Sequence, residues 1–225
     1  MKDFWKKQSE KKISPVSMGN LEENKKLLKK KIILEKKKVN LFLDKFNKKS
    51  ILDLGCGTGT WTYFFSKFRD VKKIYAVDYS NDMLNIARKY IKDKNKIKFV
   101  NKSAELFNIK KKFNLIWVSG LLIYLNNKQI KKMLNHCKKM LENDGYILIR
   151  DATAKKKKFV LKNKYSVELK NKYSAIYRTK NNYKKLFSKN FKLIKDENMF
   201  PKKSTLNKRR ETILRIYKLQ HREQI

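Results

Sequence analysis

An α/β fold is what this 225-residue sequence predicts: a doubly wound parallel sheet with helices on both faces. Three observations carry the prediction. Short apolar runs and amphipathic stretches follow one another as β-α-β-α-β-β-α-β between about residues 50 and 151, the pattern of strands joined through crossover helices. Three of the six glycines fall within ILDLGCGTGTWT, residues 51–62, directly after the first strand. An aspartate, Asp78, closes the next strand.

Each element has its own warrant. A lysine-rich helix, roughly residues 21–46, leads the regular part of the chain. ILDL is a short apolar run before glycines and reads as a buried strand. Residues 60–68 read as a helix with Trp61, Phe64, Phe65 and Phe68 on one side. KIYAVD, 73–78, is the second strand. Ser80 then caps a helix in which Met83, Ile86, Ala87 and Tyr90 recur at i, i+3, i+4 and i+7. KIKFVN, 96–101, and FNLIWVS, 113–119, are the third and fourth strands. A helix over 128–141 turns Ile130, Met133, Leu134, Cys137 and Leu141 inward, and NDG turns the chain into the fifth strand, YILIRD. Residues 152–179 carry four consecutive lysines and a tyrosine-rich run, and are too long for a plain link to the next helix. A helix at about 180–188, a strand at 191–196 and a last strand, TILRIYKL, complete the chain.

Composition narrows the function classes. Hydrophobic residues make up 41% of the chain, enough for one compact domain with a sizeable core. The formal net charge is +39 and the isoelectric point about 10.1. Such a balance can mark a nucleic-acid partner. Here the lysines are spread along the whole chain, and Lys, Asn and Ile share A/T-rich codons, so the charge reads as composition rather than a footprint. Cys56, Cys137, His136 and His221 form no ligand-spaced set, and no metal site is expected. The longest nearly apolar stretch, LIWVSGLLIYL, falls far short of the ~18–20 residues of a membrane helix. The opening MKDFWKKQSEKK lacks the apolar core of a signal peptide. A soluble cytoplasmic protein with no membrane partner is expected.

The glycine cluster needs a reason, because glycine costs backbone entropy and packs nothing. In a doubly wound sheet, ligands sit beyond the carboxyl ends of the strands at the switch point. Gly55, Gly57 and Gly59 would bare the backbone there, and a carboxylate at Asp78 is placed to accept from both hydroxyls of a ribose. Together they indicate a nucleoside-containing cofactor. The spacing is G-x-G-x-G, with Thr60 where a dinucleotide fingerprint would have its third glycine. Asp53, inside the first strand, would repel a pyrophosphate but favour a cofactor with a cationic amine and a sulfonium.

ILDLGCGTGTWT, YAVDYSNDML, FVNKSAELF, FNLIWVSGLLIYL and MLENDGYILIRD, in this order over about residues 50–151, resemble the class I S-adenosylmethionine-dependent methyltransferases. The resemblance implies a seven-stranded sheet with its last strand antiparallel. A helical cap segment over 1–49 and a Rossmann-like domain over 50–225 are expected; the length of the insertion at about 152–179, its Tyr165, Tyr173 and Tyr177 and its place at the carboxyl edge of the sheet indicate that it covers the substrate. Asp53, Gly55, Gly57 and Gly59 would surround the methionine part of S-adenosylmethionine, and Asp78 would hold the ribose. Tyr79 and Met83 would flank the adenine, although Met83 equally suits plain packing. Ser103 and Ala104 fall where such enzymes often carry Asp-Ala against the adenine edge. Ser119 would offer backbone groups to the cofactor amine. Trp61 is either helix core or a wall of the cofactor site.

Methyl transfer is an in-line displacement, so the protein supplies alignment and a dry site. Asp151 is the candidate base or acceptor clamp, with loop capping as its other reading. Tyr124, Tyr177 and Arg178 complete the catalytic candidates, with Arg150 and Tyr173 nearby. Arg178 would pair an acidic group on the acceptor. The tyrosine-rich region resembles enzymes that modify small molecules or surface glycans, which suggests methylation of an O or N on such an acceptor. Protein N-terminal amine methylation, RNA methylation and a non-catalytic cofactor- or RNA-binding module are the alternatives. Tyr124 stands where the N-terminal amine enzymes usually carry His, and no N-P-P-Y or N-L-P-Y motif for base amines is present.

Overall fold

The computed structural model describes residues 2–11, 24–43, 49–166, 171–207 and 209–222. Two helices lead: α1 (Lys2–Ser9) and α2 (Lys25–Leu43). The alternating region follows as β1 (Ser50–Leu54), α3 (Thr60–Ser66), β2 (Lys73–Asp78), α4 (Asn81–Tyr90), β3 (Ile97–Asn101) and β4 (Phe113–Ser119). A 3₁₀ turn at Leu122–Tyr124 then leads to α5 (Asn127–Met140) and β5 (Leu141–Ala154). The chain closes with β6 (Phe159–Ser166), β7 (Asn171–Thr179), α6 (Lys180–Phe187), β8 (Phe191–Asn198) and β9 (Thr212–His221).

Seven of these strands form the main sheet in the order β3-β2-β1-β4-β5-β9-β8. The first five are mutually parallel, and β9 runs antiparallel to both β5 and β8. The order reverses between β1 and β4, so the expected switch point lies beyond their carboxyl ends. Strand alternation divides the core into two layers. Leu52 and Leu54 of β1, with Ile147 and Ile149 of β5, pack beneath α5 and α6. Ile51, Leu115, Trp117 and Leu148 face the other way, against Val39, Phe42 and Leu43 of α2 and Phe65 of α3.

The predicted helices and strands from residue 50 to 151 are present in the predicted order. NDG lies inside β5 rather than ahead of it. Phe113 pairs with Leu141 and Leu115 with Tyr146, so residues 142–145 bulge opposite residue 114. A Cβ on Gly145 would stand 3.0 Å from the carbonyl oxygens of Asn114 and Glu142, which explains the glycine. The capping serine is as expected: Ser80 accepts from the Met83 N–H. The lysine-rich leading helix begins at Lys25, and the rest of its predicted range, 21–23 and 44–46, lies outside the described residues.

Residues 152–179 fold as the end of β5 and a β6–β7 hairpin. β4 pairs with β5 as far as Arg150; beyond it, Thr153 and Ala154 pair in parallel with Arg178 and Thr179 of β7. The hairpin therefore continues the sheet past the end of β4, directly over the switch point. α1 packs against α4 and β7 on the same side.

Candidate functional site

The loop after β1 is stitched to β2. The N–H groups of Gly55 and Cys56 donate to the Val77 carbonyl at 2.8 and 3.0 Å, and Gly57 N–H donates to Asp78 Oδ2 at 2.9 Å. The other oxygen, Asp78 Oδ1, accepts from Ser80 N–H at 2.9 Å. The strand-end carboxylate and the loop are thus one unit. Gly57 has φ +52°, and nothing lies within 4 Å of where its Cβ would be. The backbone there faces open space.

That space is a cavity of about 420 Å³. It is bordered by Asp53, Gly55, Gly57, Trp61, Asp78, Tyr79, Met83, Ala104 and Ser119, and further along by Tyr124, Asp151 and Tyr177. Met83 is also buried, so packing and a place at the cavity wall hold together. Trp61 likewise serves both: it borders the cavity and lies 4.6 Å, ring to ring, from Trp117. Three predicted residues stand apart from the lining. Gly59 instead lets α3 approach α4, since a Cβ there would come within 3.0 Å of Ala87 and Ile91. The Ser103 carbonyl accepts from Leu106 and Phe107 N–H in a tight turn. Arg178 is buried, and its guanidinium donates to Asn127 Oδ1 and to the carbonyls of Leu122 and Leu125. It fastens the 3₁₀ turn to β7.

Asp53 sits on the face of β1 toward α3 and accepts from Thr62 Oγ1 at 2.6 Å. Burial pushes its carboxyl up to about 7, aided by the Asp78 charge and opposed by the Thr62 bond. Burial also raises Asp78, against the pull of the Ser80 and Gly57 N–H groups. The Cys56 thiol is held well above its usual range by burial and by both aspartates, so it is a small filler, not a nucleophile. At the far end, Asp151 is fully buried and accepts from Leu122 N–H at 2.6 Å and Ala152 N–H at 2.7 Å. Burial pushes it up to about 6, opposed by those two bonds. Burial likewise raises the phenols of Tyr124 and Tyr177. The Tyr177 hydroxyl lies 3.2 Å from that of Tyr173, and its ring stacks on Phe159.

Several lining residues carry no local signal in the sequence. Glu35 of α2 reaches Arg150 of β5 at 2.6 Å, and Arg150 also donates to Ser119 Oγ. Glu35 is the sole acid in α2, the one hint that this helix is not simply a solvated face. Trp5 of α1 meets Tyr124 edge-on, with centroids 5.5 Å apart, and Phe4 lies 6.2 Å from Tyr173. Phe200, Leu206 and Asn207 close the side opposite the hairpin from the link between β8 and β9.

Residues 51–145 match a family model described as Methyltransferase domain. With this sheet order and this loop, the chain has a fold similar to that of solved S-adenosylmethionine-dependent methyltransferases. Over 98 residues it is 28% identical to malonyl-[acyl-carrier protein] O-methyltransferase 1 of Ilyobacter polytropus. That match covers 44% of this chain, and the chain spans only 36% of the relative's length. Its fold is similar to that of the N-methyltransferase NodS from Bradyrhizobium japonicum in complex with S-adenosyl-L-homocysteine, with a TM-score of 0.68 at 14% identity, covering 98% of both chains. A methyltransferase from Clostridium acetobutylicum gives 0.66 at 15% identity, covering 85% of this chain and 92% of the other. Among the described residues no helix is long and apolar enough to cross a membrane.

Proposed function

We propose that this protein transfers the methyl group of S-adenosylmethionine, in line, to an oxygen or nitrogen of a small-molecule or glycan-type acceptor. The observation that carries the reading is the single cavity. It joins the Gly57–Asp78 unit at one end to Tyr124, Asp151 and Tyr177 at the other.

The residues present fit the cofactor. Gly57 leaves room where any side chain would intrude. The Asp78 oxygens accept from the backbone N–H groups of Gly57 and Ser80, with that of Tyr79 also acting on them, and would have a lone pair left for a ribose hydroxyl. Asp53 would answer the cationic methionine end, with Tyr79, Met83 and Ala104 bordering the base. When bound, S-adenosylmethionine supplies an electrophilic methyl group on a good leaving group. The chain's own part is to orient and to keep water out: α1, the hairpin and the β8–β9 link wall the far end. Asp151, poised near neutrality, is the group there that can accept a proton from a nucleophile.

Calorimetry with S-adenosylmethionine and S-adenosylhomocysteine tests the reading. The wild type should bind both, and Gly57→Val should lose both while keeping its circular dichroism spectrum. A folded wild type that binds neither ligand overturns the proposal. So does a Gly57→Val protein that binds as the wild type does.

A further inference from the structure

At its far end the cavity holds a buried negative charge with no cation bonded to it. Asp151 is fully buried, and its oxygens accept from the backbone N–H groups of Leu122 and Ala152, with that of Ile123 also acting on it. Among the described residues no Lys, Arg or His lies within ion-pair distance of it. The arginines around it are engaged elsewhere: Arg215, its cross-strand neighbour on β9, pairs with Asp196 and donates to Asn198. Arg150 acts on it only through its charge, projecting to the opposite face of β5 and pairing with Glu35. Arg178 donates to carbonyls and an amide. A buried carboxylate without a cationic partner is costly unless something supplies the charge.

The walls around it suit a cation. Trp5, Tyr124, Tyr173 and Tyr177 all border the cavity. The negative faces of aromatic rings attract ammonium groups. Phenol oxygens can also accept N–H bonds, and those of Tyr173 and Tyr177 stand 3.2 Å apart. Arg209, also in the lining, is exposed at the rim; its charge reaches the Tyr177 phenol, weakened by water and salt. An alcohol in this place would leave the carboxylate unpaired; an ammonium would not.

We infer that this end of the cavity is an ammonium site, and that the acceptor is therefore an amine, methylated on nitrogen. The inference rests on the methyl-transfer reading above and adds the substrate class. An amine entering as ammonium pairs with Asp151. Passing one N–H proton to a carboxylate oxygen neutralises both groups and frees the nitrogen lone pair for attack, with no other reactant needed.

The test uses the whole chain saturated with S-adenosylhomocysteine and two probes of one shape, benzylamine (an ammonium at neutral pH) and benzyl alcohol. Calorimetry should show benzylamine binding about tenfold or more tightly, the scale of a desolvated cation among aromatic rings. Asp151→Asn keeps the size of the side chain and should collapse that preference to within about twofold, given the loss of the charge. Tyr124→Leu, which keeps bulk but removes a ring face, should weaken benzylamine more than the alcohol. Equal affinities in the wild type, no binding of either probe, or an amine preference that survives both variants overturns the inference. Failure to bind S-adenosylhomocysteine at all strikes the methyltransferase reading instead.

Discussion

Asp53 shows how one residue trades stability for binding. Its carboxyl is raised from 3.8 to about 7 in the folded chain, chiefly by burial. Below pH 3.8 it is neutral in both folded and unfolded states, and burial costs nothing. Between there and about pH 7 the unfolded chain gives up the proton more readily, so this group's contribution to stability falls as pH rises. Affinity for a ligand with a cationic amine should move the other way, rising through about pH 7 as Asp53 ionises. Asp53→Asn should raise the unfolding temperature at neutral pH and flatten the pH dependence of S-adenosylhomocysteine affinity while weakening it. An unchanged pH profile would show that another group controls binding. Arg178 is the residue where chain position misled. An arginine in a tyrosine-rich insertion looks available, but this one is spent on the carbonyls of Leu122 and Leu125. Arg178→Met leaves the Leu125 carbonyl unpaired and takes one of two donors from that of Leu122, and should cost about 1–3 kcal/mol, the scale of one buried unsatisfied group. Denaturant unfolding measures this. A variant as stable as the wild type would return Arg178 to the list of acceptor contacts.

At the scale of elements, the run from β1 to β5 was legible because each strand is a short apolar burst and each helix carries a periodic stripe. The grouping of Gly55, Gly57 and Asp78 at one end of the cavity was legible for the same reason: they lie at strand ends, where topology gives them meaning. Gly59 shares the spacing but not the place, because only the packing of α3 on α4 decides which way it faces. The acceptor end was less readable. Its walls come from α1, α2, the hairpin and the β8–β9 link, brought together across the sequence with no shared motif. The hairpin itself was hidden by its mixture: β6 is mostly exposed and carries lysines, without the clean alternation of a half-buried strand. For α1 the expected outcome is specific. Trp5→Ala removes the ring that meets Tyr124. It should lower turnover roughly tenfold or more by loosening acceptor alignment, with S-adenosylhomocysteine affinity within about twofold. If calorimetry finds the cofactor affinity falling as far as turnover does, α1 serves the other end of the cavity.

For the molecule as a whole, the charge of +39 is distributed, not gathered. Any RNA binding should be weak, indifferent to sequence and lost steeply with salt, as phosphate contacts alone would give. Filter binding of one RNA that stays tight at physiological salt would mark the charge as functional. The core is divided unequally. Two large layers pack the faces of the main sheet, whereas Ile123, Ala154, Ala175 and Tyr177 form a small third cluster beneath the hairpin. Among the described residues, backbone pairing ties β7 to β5 only at Thr153 and Ala154, with Arg178 fastening that end to the 3₁₀ turn. Regions with so few buried contacts open on their own, well below the free energy of global unfolding. Amide deuterium exchange should therefore reach β6 and β7 long before β1 and β4, and occupation of the cavity should slow it there. Were this wall to hold the acceptor, as proposed, product release should wait on a two-stranded flap peeling from the sheet.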